Sequence, residues 1–163
     1  MLENGLYPKD WKNISITEEE MEEEYRQICN YLEGIGWNHY EISNWAKPGF
    51  ECTHNQGYWK HENSIGFGLS ASSYHDGRRW ENESSFQAYY KGGISYDDTL
   101  SPEQIRLEKV IHDFRTFSLK NDGFNKEKLN SLQAGGLIRI SEDKILPTEA
   151  GIFRENFILS ELI

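Results

Sequence analysis

The chain reads as an α/β protein: the strands and helices of a partial (β/α) barrel come first, and a small winged-helix-like α+β module follows. Three observations predict this. A strongly periodic helix that starts at Thr17 stops at two glycines and runs into an alternating strand, the repeating unit of a β/α barrel. A glycine-rich, mostly apolar run, Ser64–Ser70, suits a buried parallel strand. From Ser101 onward the order is helix, helix, strand, strand, helix, that of a winged-helix-like module. The boundary is expected near Ile94–Leu100, dividing the chain into residues 1–95 and 96–163.

Taken in order, residues 1–16 look irregular, broken by Gly5 and Pro8. Thr17-Glu18-Glu19-Glu20 fits a capping box, in which the hydroxyl and the third-position carboxylate satisfy orphan amides reciprocally. Met21, Tyr25, Ile28, Cys29 and Leu32 recur at helical spacing and predict one buried stripe. The glutamates from Glu18 to Glu24 favour the positive end of the helix dipole and form a solvated face. Gly34 and Gly36 end that helix.

Trp37–Ser43 alternates as a strand, with His39, Glu41 and Ser43 on one face and Tyr40 and Ile42 on the other. The Asp76-Gly77 pair predicts a short hairpin within Tyr74–Arg79. Ser84–Tyr90 reads as a short helix closed by Gly92-Gly93. Ser101-Pro102-Glu103-Gln104 opens another helix, with Ser as cap, Pro in the first turn and Gln closing the box. Its apolar face carries Leu107, Val110, Ile111, Phe114 and Phe117. A second helix, Asn125–Ala134, ends at Gly135-Gly136; Leu137–Ile140 and Lys144–Leu146 follow as strands. Thr148 then caps one final helix bearing Ile152, Phe153, Phe157, Leu159 and Leu162.

Composition narrows the function. The 163 residues are 37% hydrophobic and 13% aromatic, with five Trp and nine Tyr, enough for a core. Seventeen basic against 27 acidic side chains give net −10, the wrong sign for tight non-specific nucleic-acid binding. No apolar run approaches the ~20 residues of a membrane span, and the N-terminus lacks the basic start and apolar region of a signal peptide. Two cysteines are too few for a disulfide scaffold, so the chain is expected to be cytoplasmic.

The most informative stretch is Tyr40–Trp59, YEISNWAKPGFECTHNQGYW, with the hexapeptide His54-Asn55-Gln56-Gly57-Tyr58-Trp59 and, downstream, Gly66-Phe67-Gly68-Leu69-Ser70-Ala71. This combination resembles the radical S-adenosylmethionine (radical-SAM) family that contains the heme chaperones HemW and the oxygen-independent coproporphyrinogen III dehydrogenases HemN. HNxxYW is the mark of the chaperone branch. LSPEQ, AGGLI and LPTEAG extend the resemblance into the C-terminal module, although the segment between Phe117 and Asn125 is shorter than the family's. The resemblance implies the C-terminal part of a partial radical-SAM barrel followed by the family's C-terminal domain. It also implies a longer parent whose upstream CxxxCxxC loop holds a [4Fe-4S] cluster and S-adenosylmethionine. The branch assignment implies a protein that binds heme and hands it to an acceptor protein. The alternatives are porphyrinogen oxidation and, from another class, a winged-helix protein-docking module.

The resemblance implies His54 as the heme-iron ligand and Asn55, Tyr58 and Trp59 as lining; imidazole ligates iron and flat aromatics cover a macrocycle. From the residues alone, His54 and Asn55 serve equally well to hold a loop while Tyr58 and Trp59 fill space. By resemblance, Gly66, Gly68, Ala71 and Ser72 lie near S-adenosylmethionine, since glycines let a ligand approach the backbone; the chaperone branch usually has histidine at Ser72. Glu41, Ser43 and Asn44 either touch ligand or hold the following loop. Cys29 reads as a core residue, and Cys52 with His54 is too little for a zinc site. Two separated cysteines cannot hold an iron–sulfur cluster. Arg78 and Arg79 form a local basic pair that suits a porphyrin carboxylate or a solvated turn. His112 reads as a surface or boundary residue.

Overall fold

A computed structural model describes residues 16–163; the irregular stretch expected at the N-terminus lies almost wholly outside them. The capping box at Thr17 forms as expected. Its hydroxyl accepts from the Glu20 amide at 3.2 Å, while the Glu20 carboxylate accepts from the Thr17 amide at 2.8 Å. Helix α1 then runs Glu18–Gly34. Its apolar stripe is only partly covered: Cys29 is buried and Tyr25 and Leu32 are half-buried, but Met21, Ile28, Tyr31 and Ile35 face outward. The apolar positions span more of the helix than one neighbouring layer can cover.

The strand expected over Trp37–Ser43 is shorter and antiparallel. β1 (Asn38–Glu41) turns back through Ile42 and Ser43 into β2 (Asn44–Ala46). The tight reversal is held by Asn44, whose amide donates to the Glu41 carboxylate. α2 (Thr53–Trp59) contains the whole hexapeptide, which the sequence placed in a loop.

The parallel strand expected over Ser64–Ser70 is absent; this segment is a loop with a single antiparallel bridge, Ser64 to Tyr74. Gly68 at φ +104° and Ser70 at φ +53° cannot continue a strand. The hairpin at Asp76-Gly77 does form, between β3 (Ser72–His75) and β4 (Arg78–Asn82). Both turn residues have positive φ, +48° and +87°, as a type I′ turn requires. α3 (Phe86–Tyr89) is the expected short helix. The sequence showed no strand over β5 (Ile94–Thr99), which pairs antiparallel with β4 and completes a three-stranded sheet β3-β4-β5.

α4 (Pro102–Arg115) starts at the Ser101 capping box, and α5 (Lys126–Ala134) follows. β6 (Ile138–Ser141) and β7 (Lys144–Pro147) form an antiparallel hairpin. The single final helix becomes two, α6 (Glu149–Ile152) and α7 (Glu155–Leu162). Arg154 leaves helical geometry at φ −116°, ψ 25°, and the break lets Ile158 and Leu159 enter the core while α6 stays against α1.

Among the described residues, eight of the eleven buried hydrophobics belong to one cluster in this last segment, centred on the fully buried Phe114, Ile145 and Ile158. Helix α1 and the β1–β2 hairpin hold to each other and dock onto that unit by polar contacts and by ring packing of Tyr25 on Phe153 and His39 on Phe117. Tyr25 donates to the Ile42 carbonyl at 2.7 Å, the Ile42 amide donates to the Arg115 carbonyl at 2.9 Å, and Arg26 pairs with Glu149 at 3.0 Å.

Candidate functional site

Helix α2 sets His54 and Tyr58 one turn apart, so both face the same side. Gly57 permits the chain to fold back directly after the helix. Its carbonyl accepts from the Glu62 amide at 2.9 Å, and a Cβ there would press on the Glu62 carboxylate. That reversal brings His61 over α4, where its Nε2 lies 3.3 Å from the Glu108 carboxylate. Helix α4 presents Glu108 and His112 on one face, four residues apart. The β3–β4 hairpin closes the opposite wall with Ser72, Tyr74 and Arg79. Together they enclose a cavity of about 550 Å³, within the range of about 300–1,000 Å³ usual for ligand sites.

His112 is the best-held imidazole of the three that line it. Its Nδ1 lies 3.1 Å from the Trp59 carbonyl oxygen, and the Tyr58, Trp59 and His61 rings surround it at centroid distances of 5.9, 5.2 and 4.6 Å. Burial, reinforced by the neighbouring His61, pushes its pKa below that of a free histidine. His54 and Tyr58 are exposed at the rim. Trp59 packs behind them with its indole N–H buried and without a hydrogen-bond partner among the described residues. Asn55 is half-buried and does not line the cavity.

The glycine loop is pinned rather than extended. Asn82 donates to the carbonyls of Gly66 (3.2 Å) and Gly68 (2.9 Å), the Gly66 amide donates to Ser73 Oγ at 2.9 Å, and the Gly68 amide to Tyr89 Oη at 3.0 Å. A Cβ on Gly66 would run into the Ser72 carbonyl, whereas Gly68 has open space around it. Ala71 is half-buried and its carbonyl accepts from the Asn82 amide at 3.1 Å; Ser72 is exposed and lines the cavity. Of the residues singled out by sequence, His54, Tyr58, Ser72, Arg79 and His112 therefore share the cavity, Trp59 backs it, and Gly66 braces its wall.

Other candidates have structural partners. Glu41 is fully buried, with one carboxylate oxygen held by Asn44 and the other without a partner among the described residues. Arg78 makes a two-pronged contact with Asp97 at 2.9 and 2.7 Å. Arg79 bridges Asp98 and Glu108 at 3.1 and 2.9 Å. Neither guanidinium is an unpaired cation awaiting a carboxylate. His112 is half-buried, in keeping with its reading as a boundary position, and it also lines the cavity, which the sequence did not indicate. The sequence signal that could have found it is the Glu108/His112 spacing on an amphipathic helix, but its partners His61 and Trp59 lie about fifty residues away in the chain. A larger, more open groove of about 910 Å³ runs between α1, α6 and the β6–β7 hairpin, away from the hexapeptide.

No family model matches the chain. Its overall fold is similar to part of coproporphyrinogen III oxidase (HemN) from Escherichia coli, a radical-SAM enzyme, whose structure superposes with a TM-score of 0.65 at 16% identity, over 90% of this chain and 41% of that one. Sequence relatives point to the neighbouring branch. The chain is 32% identical to the heme chaperone HemW of Bacillus subtilis over 152 residues, 82% of this chain and 40% of that protein. It is 42% identical to the HemW of Synechocystis over 67 residues, 41% of this chain and 16% of that one. The HemW of Lactococcus lactis is 40% identical over 75 residues, 46% of this chain and 20% of that protein. The chain is a HemW/HemN-like protein, HemW-like in sequence and HemN-like in fold, and it spans less than half the length of these relatives. No helix among the described residues is long and apolar enough to cross a membrane.

Proposed function

We propose that the cavity between α2, the β3–β4 hairpin and α4 is a heme site, and that a HemW-like parent uses it to carry heme to acceptor proteins. The observation that carries this reading is the convergence of His54 and Tyr58, from the HNxxYW segment, with two further histidines on one ligand-sized cavity. The donor set fits heme. Neutral imidazole binds heme iron, and the aromatic ring of Tyr58, backed by Trp59, offers flat apolar surface to a macrocycle. In this reading His54 would bind the iron and Tyr58, backed by Trp59, would cover the ring, while Asn55 lies on the same helix away from the cavity lining.

A [4Fe-4S] cluster does not fit the residues of this chain. Its only cysteines are a buried Cys29 and an exposed Cys52, and no group of three or more metal-binding side chains converges among the described residues. We assign cluster and S-adenosylmethionine binding to the parent, with Gly66, Gly68, Ala71 and Ser72 beside the latter. In that parent, residues 1–95 belong to the barrel and residues 96–163 to the C-terminal domain. A second reading, oxygen-independent coproporphyrinogen III oxidation, is favoured by the fold likeness to HemN and requires the same missing cluster. Titrating hemin into wild type and His54→Ala tests the heme reading. A saturable Soret shift in wild type that weakens in the variant supports it; a wild type with no saturable shift overturns it.

A further inference from the structure

We infer that His112, delivered by α4 rather than by the HNxxYW segment, is a second iron-binding imidazole of this cavity; the inference rests on the heme reading above. His112 lines the cavity together with His54. Its Nδ1 faces the Trp59 carbonyl at 3.1 Å. A carbonyl only accepts, so Nδ1 carries the proton and Nε2 keeps its lone pair. One ring nitrogen donating to a backbone carbonyl, the other left basic, is the arrangement that orients metal-ligating histidines.

The surroundings hold that ring in place. Trp59 and His61 stand nearly edge-on to it, at 77° and 78°, and Tyr58 tilts over it at 35°. His61 is the weaker candidate, because its Nε2 is engaged by Glu108, which also pairs with Arg79. A bare divalent ion is a poor match, since no set of three or more ligating side chains converges among the described residues. The HNxxYW segment thus has two parts in this site: it contributes His54, and the Trp59 carbonyl sets the tautomer of His112.

The test uses the full chain and hemin, read by the Soret and visible bands and by low-temperature electron paramagnetic resonance. The expected wild-type complex is low-spin and six-coordinate. His112→Ala should convert it to a high-spin or water-ligated species, and added imidazole should restore the low-spin spectrum. If His112→Ala is unfolded by circular dichroism, His112→Gln, which keeps an N–H for the Trp59 carbonyl, is read against the same outcomes. A wild type that binds hemin and variants with an unchanged low-spin spectrum would overturn the role of His112 and leave the heme reading standing. A wild type that shows no saturable Soret shift overturns both.

Discussion

His39 shows how burial turns one residue into a pH-dependent element of stability. Its ring stacks on Trp45 at 4.3 Å and meets Phe117 at 4.9 Å, with Nε2 3.2 Å from the Tyr25 hydroxyl. That hydroxyl already donates to the Ile42 carbonyl, so it accepts from a neutral His39 whose proton sits on Nε2. Burial holds the folded pKa below the ordinary value, while the unfolded chain titrates at about 6.5. The unfolded state therefore takes up the proton first. Stability is full above that pH and falls as the pH drops through it, until the folded ring also charges. Thermal melts across this range should show a smaller acid loss for His39→Phe than for wild type; equal losses would remove His39 from the effect. Gly66 makes a second residue-scale case. A Cβ there meets the Ser72 carbonyl, a backbone atom that cannot swing away, so Gly66→Ala should cost about 1–3 kcal/mol in chemical denaturation. A melt matching wild type would mean that the loop can shift without penalty.

At the scale of elements, local chemistry and packing divide the outcome. The Asp76-Gly77 turn was legible because a two-residue hairpin needs positive φ, which glycine adopts without penalty. Gly77 also lies against Ile105, whose Cδ1 would sit 3.3 Å from an added Cβ. Gly77→Val should therefore both strain the turn and push α4 from the hairpin, at a cost of about 1–3 kcal/mol. It should also lower hemin affinity, because these two elements wall the cavity. Wild-type stability together with unchanged affinity would separate the turn from the site. The capping boxes at Thr17 and Ser101 were equally legible, since the motif spans four adjacent residues. β5 was not, because its alternation covers only Ile94 and Tyr96 before the adjacent Asp97 and Asp98 break it. Its place as an edge strand comes from backbone pairing with β4 and from carboxylates that meet Arg78 and Arg79.

For the whole molecule, burial is unevenly distributed. Among the described residues before Ser101, the buried hydrophobics are Cys29, Ala46 and Leu100, while Phe114, Ile138, Ile145 and Ile158 anchor the C-terminal cluster. Phe50, Phe67, Ile28 and Tyr31 stay exposed. Hydrogen exchange should show slow amides in α4, α5, β6, β7 and α7 and faster ones in α2 and the glycine loop, with self-association through the exposed apolar faces at high concentration. Phe114→Ala should cost about 3–5 kcal/mol and loosen the slow group. Uniform protection along the chain would contradict this division.

The sequence by itself determined helices α1, α3, α4 and α5, the caps at Thr17 and Ser101, the Asp-Gly hairpin and the kinship carried by HNxxYW, all set by residues within a few positions of one another. Only the tertiary structure decided that the glycine run is a pinned loop, that β1 and β2 fold into an antiparallel hairpin and that the hexapeptide is helical. It alone brought His61 and His112 to the hexapeptide. Those outcomes depend on which distant backbone accepts each amide and which distant ring covers each face. The carbonyl of Trp59 meeting the ring of His112, 53 residues further on, is a contact that no local pattern encodes.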